Sequence, residues 1–131
     1  MACPLFLPSS PLTGFNPEAA PLGDFYGGEC AAEAGAIPDD VLRRCCNTGY
    51  ARGACARAAQ SDADAFRFLI KANRGGVVDV AWSSERNHHP VAVGTLAVNP
   101  APDTTETGPL ERQARTCAAA YLRQIGGQIG R

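Results

Sequence analysis

Five prolines, Pro4, Pro8, Pro11, Pro17 and Pro21, fall within the first 21 residues of this 131-residue chain. Each fixes its own φ, lacks an N–H donor and restricts the residue before it, so no long helix can form there. Residues 1–36, also rich in glycine and alanine, are therefore predicted to form an extended wrap. Phe6, Phe15, Phe25 and Tyr26 are a heavy aromatic load for a disordered tail, which favours an ordered segment packed against something. A stretch of this length without regular structure needs a function or a cross-link to hold it. Cys3 and Cys30, near its two ends, are the natural anchor points.

Beyond the wrap the pattern changes twice. Pro38 at an early helical position, with Asp39 and Asp40 in the first turn, predicts a helix through Val41, Leu42, Arg43, Arg44 and Cys45 to Cys46. Asn47, Thr48 and Gly49 end it, and Gly49 suits a left-handed closing residue. Tyr50 to Ala59 reads as a turn followed by a short helix. From Ala65 the period becomes two: Phe66, Phe68 and Ile70 share one face, then Val78, Val80 and Trp82, with Asn73-Arg74-Gly75-Gly76 between them as a hairpin loop. Val91 to Val98 is the third strand, after a connection over Ser83 to Pro90. A last helix carries Leu110, Ala114, Cys117, Ala118, Tyr121, Leu122 and Ile125 on one apolar stripe and stops at Gly126-Gly127. The expected class is α+β: an irregular and helical cysteine-rich half (1–60), then a three-stranded antiparallel meander with a covering C-terminal helix (61–131), in one domain spanning 1–131.

Cysteine placement carries the chemistry. Cys3, Cys30, Cys45, Cys46 and Cys55 precede residue 60, and only Cys117 follows it. Between Val41 and Gln60 the charged residues are Arg43, Arg44, Arg52 and Arg57, with no carboxylate. Thiolates gathered at a metal centre need nearby cations to offset their charge, and this segment supplies them. Cys117 lies on the apolar stripe of the last helix, where a thiol packs as a small hydrophobe. A four-ligand centre then draws on Cys3, Cys30, Cys55 and one of the adjacent pair. Neighbours in an α-helix diverge by about 100°, so one of the two is expected to ligate. Cys46, at the helix end, is preferred, with Cys45 as its alternate packed under Val41.

A [4Fe-4S] cluster is the expected cofactor, with zinc as the alternative. Structural zinc sites usually bring ligands in C-x2-C pairs, and this chain has none. A cubane accepts thiolates from dispersed loops, and Cys3-Pro4 matches the Cys-Pro that closes bacterial ferredoxin motifs. Over Cys45 to Cys55 the double cysteine resembles the bacterial zinc- or iron-chelating cysteine-cluster proteins. The chain lacks that family's early C-x2-C and the Arg-Pro before its last cysteine, so no residue role carries over.

Other functions are excluded or unsupported. A net charge of −1 offers no footprint for nucleic acid. No apolar run reaches the roughly 18 residues of a membrane helix. The amino terminus has no basic region and its apolar patch is broken by proline, which predicts a cytoplasmic chain with reduced thiols rather than a secreted chain with three disulfides. His88-His89-Pro90 reads as a polar turn ended by proline. No catalytic motif is present, so the chain is read as a carrier or sensor with a protein redox partner, or, with zinc, as a protein-interaction module.

Overall fold

The computed structural model describes residues 2–11, 26–32, 35–50, 55, 57–99 and 108–129. The fold is α+β. Strands β3 (Ala65–Arg74), β4 (Val77–Arg86) and β5 (His89–Val98) form an antiparallel meander in chain order. The first turn uses Gly75 and Gly76, at φ 64° and 97°, a paired left-handed conformation whose twist matches that of the flanking strands. The second turn is tighter than the connection expected over Ser83 to Pro90. β4 runs on to Arg86, which pairs with His89, leaving only Asn87 and His88 at φ 53° and 66°. Support for this left-handed pair comes from outside the hairpin: the His88 amide donates to the Tyr50 hydroxyl at 2.9 Å, and the two rings stack with centroids 4.4 Å apart.

One face of the sheet is covered. Val78 and Val80 are fully buried beneath Ala114 and Ala118 of helix α2 (Pro109–Ile129), with Phe68, Ile70, Leu96, Val98, Tyr121 and Leu122 around them. Alanines one turn apart let the helix sit close to the strands. The opposite face is open, with Leu69 and Val93 66% and 71% exposed. α2 continues through Gly126 and Gly127 to Ile129, beyond the expected stop. Glycine costs about 1 kcal/mol in a helix interior but does not by itself end a helix.

The helix also buries residues off the expected stripe. Gln113 is fully buried and Ala120 nearly so. Gln113 Nε2 donates to the carbonyls of Cys3 at 2.8 Å and Phe6 at 2.9 Å, and Arg112 Nε donates to the Pro8 carbonyl at 2.8 Å. α2 therefore bridges the sheet and the amino-terminal wrap. The described ends of that wrap are more regular than an irregular segment: β1 (Phe6–Pro11) and β2 (Tyr26–Cys30) pair antiparallel, with a bulge between Pro8 and Ser10. Proline, unable to donate to a ladder, is tolerated on such a two-stranded ribbon. Ala2 extends the contact to the other sheet, exchanging hydrogen bonds of 2.9 and 2.8 Å with Phe66.

The first helix begins as expected and then changes type. One α turn, α1 (Asp39–Val41), follows Pro38 and passes into a π turn over Leu42–Cys46, closed by the Asn47 amide donating to the Leu42 carbonyl at 3.0 Å. Gly49 is left-handed, at φ 75°, and a Cβ there would lie 2.7 Å from that of Ala65. Of the turn and short helix expected over Tyr50 to Ala59, a 3-10 turn at Ala58–Gln60 is present, and residues 51–54 and 56 lie outside the described residues.

Candidate thiol site

Backbone geometry gathers the cysteines before any side chain is considered. Cys3 lies in a turn closed by the Phe6 amide on the Cys3 carbonyl at 3.0 Å, and its own amide donates to the Cys46 carbonyl at 3.0 Å. Phe6, one turn on, stands opposite Cys30 in the β1–β2 register. The Ala31 amide then donates to the Leu5 carbonyl at 2.7 Å, holding the end of β2 against the turn. Cys55 enters just before the 3-10 turn, its carbonyl accepting from the Ala58 amide at 3.1 Å.

The outcome is one cavity lined by Cys3, Cys30, Cys45, Cys46 and Cys55, with Leu5, Phe6, Ile37, Val41 and Ala58 as apolar walls. The cavity is small, about 20 Å³, little more than room for one water. Cys3, Cys45 and Cys46 are buried, while Cys30 and Cys55 are partly exposed. All six cysteines are free thiols, and Cys117, partly buried on α2, does not line the cavity.

Both members of the adjacent pair face the cavity. The choice of one of them as ligand rests on the divergence of neighbours in an α-helix, whereas the pair sits in a π turn, whose wider winding separates neighbours by somewhat less. Asn47 holds the turn open. Its Nδ2 donates to the Leu42 carbonyl at 2.8 Å, which also receives the Asn47 amide, and to the Tyr26 carbonyl at 3.0 Å. Its Oδ1 accepts from the Tyr26 amide at 2.9 Å, so this fully buried side chain acts as a strand partner for β2. Asn47 reads in the sequence only as a helix-ending residue, and Gln113 as one more helical glutamine. Nothing in their local context marks them as clamps on the thiol-bearing segments.

Three of the cavity thiols, Cys3, Cys45 and Cys46, resist ionisation. Burial pushes Cys46 up to about 12, with the other four thiols adding to the rise. Burial likewise raises Cys3 to about 11 against the lowering effect of the Leu5 backbone, with Cys30, Cys55 and Cys45 again opposing ionisation. Cys45 moves the same way, first by burial and then by Cys55. These mutual effects mean that the groups lie within electrostatic reach of one another, and that a neighbouring cation would strongly favour their thiolates.

Among the arginines of this segment, Arg57 lines the cavity. Arg43 is exposed, and Arg44 pairs with Asp40 at 3.2 Å on the solvent side, both partners more than half exposed. Arg52 lies outside the described residues.

Among the described residues the lining is five thiols, an arginine and apolar walls, a donor set that suits a soft, thiolate-binding centre. A single tetrahedral zinc, with Zn–S of about 2.3 Å, requires its ligands to converge on one point. Among the described residues no group of three or more His, Cys, Asp or Glu is set to grip one metal ion. The five thiols share the lining of one cavity.

A second polar cluster lies apart from the cavity lining. Buried Glu85 takes the Tyr50 hydroxyl on Oε1 at 2.9 Å and Arg67 Nε on Oε2. Asp64, also buried, accepts the Asn87 amide at 2.9 Å. Arg67, followed by Tyr50, holds the Glu85 carboxyl below its ordinary range. His88 belongs to this cluster through Tyr50, whereas His89 is an exposed first residue of β5, and neither lines the thiol cavity.

No protein-family model, curated protein or solved structure matches this chain. Among the described residues no helix is long and apolar enough to cross a membrane.

Proposed function

We propose that this chain is an iron-sulfur protein that holds one [4Fe-4S] cluster and serves in electron transfer or redox sensing with a protein partner in a reducing, cytoplasmic setting. Cys3, Cys30 and Cys55 each provide one thiolate and the Cys45–Cys46 pair provides the fourth. The observation that supports this reading is a cavity lined by five thiols from four stretches of the chain, with Arg57 beside them.

A bound cluster would supply one-electron chemistry. The residues would do the rest. Arg57 on the lining would help to offset the negative charge of the thiolates, and Leu5, Phe6, Ile37 and Val41 would cover the apolar side of the site, leaving Cys30 and Cys55 at its partly exposed edge. Gln113 and the Cys3–Cys46 backbone bond fix where Cys3 stands. Burial makes the empty site costly to ionise, so loading must remove a proton from each ligating thiol and is favoured by rising pH.

Anaerobic purification with iron and labile-sulfide analysis tests the proposal. About four of each per chain, with broad visible absorption, is the expected result for one cubane. Stoichiometric zinc without sulfide would assign the site to structural zinc and the chain to an interaction module. Neither metal at the thiols would reject both.

A further inference from the structure

A cubane uses four thiolates, and this cavity offers five. We infer that Cys45 and Cys46 are interchangeable ligands for one position, so that the loaded site keeps a spare thiol inside its own wall. The inference rests on the iron-sulfur reading above and concerns how that site is built.

Three observations lead to it. Cys45 and Cys46 both line the cavity, and both are buried, at 2% and 8% exposure. They sit on consecutive residues of a π turn, whose wider winding separates neighbours by somewhat less than an α turn and which recurs at functional positions. The turn is also actively held: the Leu42 carbonyl accepts both the backbone amide and the side-chain amide of Asn47, and Asn47 is anchored in turn on Tyr26. A fixed ligand beside a passive filler would need no such device, because an ordinary α turn already directs one of two neighbours inward.

The remaining ligands have no such neighbour. Cys3 is flanked by Ala2 and Pro4, and Cys30 by Glu29 and Ala31. Exchange at the paired position balances without an oxidant or reductant. The incoming thiol gives up its proton as its sulfur takes the position, and the outgoing thiolate accepts one. Because both sulfurs stay within the same wall, the exchange needs no opening of the wrap to water.

The test uses the full chain, loaded anaerobically with ferrous iron and sulfide, in four forms: wild type, Cys45→Ser, Cys46→Ser and the double variant. Each single variant is expected to retain most of the iron and sulfide of the wild type, with a shifted visible or paramagnetic resonance spectrum reporting the changed ligand. The double variant should lose roughly tenfold in cluster content, since serine is a poor substitute for a thiolate. Near-ultraviolet circular dichroism of the metal-free forms separates loss of fold from loss of ligand, and alanine replaces serine where a serine variant fails to fold. If one single variant strips the site while the other leaves it full, the ligand is fixed and the inference is overturned, though the iron-sulfur reading stands. Retention of the cluster by the double variant overturns it as well. Wild-type protein that binds neither iron nor sulfide defeats the underlying reading itself.

Discussion

The Cys3 amide donates to the Cys46 carbonyl at 3.0 Å, so two thiol-bearing residues from distant parts of the chain are joined through their backbones. The Cys3 carbonyl in turn receives Gln113 from α2, the helix that also covers the sheet. The thiol cavity is thus held by a main-chain bond between Cys3 and Cys46 and tied to the covering helix by the Gln113 side chain. Several consequences can be measured.

Substitution should separate ligands from filler. Serine at Cys3, Cys30 or Cys55 is expected to cut bound iron sharply, because the hard, poorly ionised hydroxyl replaces a soft thiolate. Alanine at Cys117, which does not line the cavity, should preserve the iron and cost on the order of 1 kcal/mol in chemical denaturation. Iron content that is indifferent to Cys3, Cys30 and Cys55 would remove cysteine from the site.

Gln113→Leu should weaken the site from a distance. The change removes two hydrogen bonds, to the Cys3 and Phe6 carbonyls, at about 1 kcal/mol each, partly offset because the Cys3 carbonyl keeps the Phe6 amide and the buried, unpartnered Gln113 Oε1 is lost as well. Urea unfolding of the metal-free protein measures that loss. A parallel drop in iron affinity is expected, since Cys3 loses its fixed position, and an unchanged affinity would show that the wrap positions Cys3 unaided.

For the metal-free protein, alkaline stability follows from the raised thiols. Folded Cys3 and Cys46 keep their protons to about 11 and about 12, whereas unfolded thiols release theirs near 9.0. Between those values the unfolded state binds fewer protons, so unfolding becomes easier as pH rises. The stabilisation is complete below pH 9 and is lost by the folded values, with a slope on the order of 1.4 kcal/mol per pH unit for each thiol. Cys46→Ala should flatten the fall, and metal loading, by holding the thiolates in the folded state, should abolish it above pH 9 and make stability rise with pH below that value.

The Tyr50–Glu85–Arg67 cluster should act on the acid side. Glu85 is held below its ordinary value of 4.5, chiefly by Arg67, so its contribution is present above that pH and disappears as the pH falls through its folded value. Glu85→Gln is expected to flatten this acid loss and to cost about 1–3 kcal/mol at neutral pH. Tyr50→Phe should cost about 1 kcal/mol for each of its bonds, to Glu85 and from the His88 amide, and in the Glu85→Gln background only the Glu85 share should shrink. Thermal melts across the four forms supply the cycle.

Local pattern determined a good deal of this protein. Alternation in Phe66, Phe68 and Ile70 and in Val78, Val80 and Trp82 marked β3 and β4, because side chains in a strand alternate and burial on one face demands a period of two. Gly75 and Gly76 marked their turn, and Ala114 and Ala118 marked the covering helix. Glycine conformations and apolar stripes act over a few residues, so sequence alone reveals them. Asn87-His88 escaped because its left-handed backbone is supported by Tyr50, a residue remote in the chain. The π turn escaped for the same reason: Asn47 holds it only once its amide has found Tyr26. Gln113 likewise became a clamp only when α2 met the Cys3 turn. That Cys3, Cys30, Cys45, Cys46 and Cys55 share one cavity was decided by tertiary structure, since thiols on separate segments meet only where hydrogen bonds between those segments bring their backbones together.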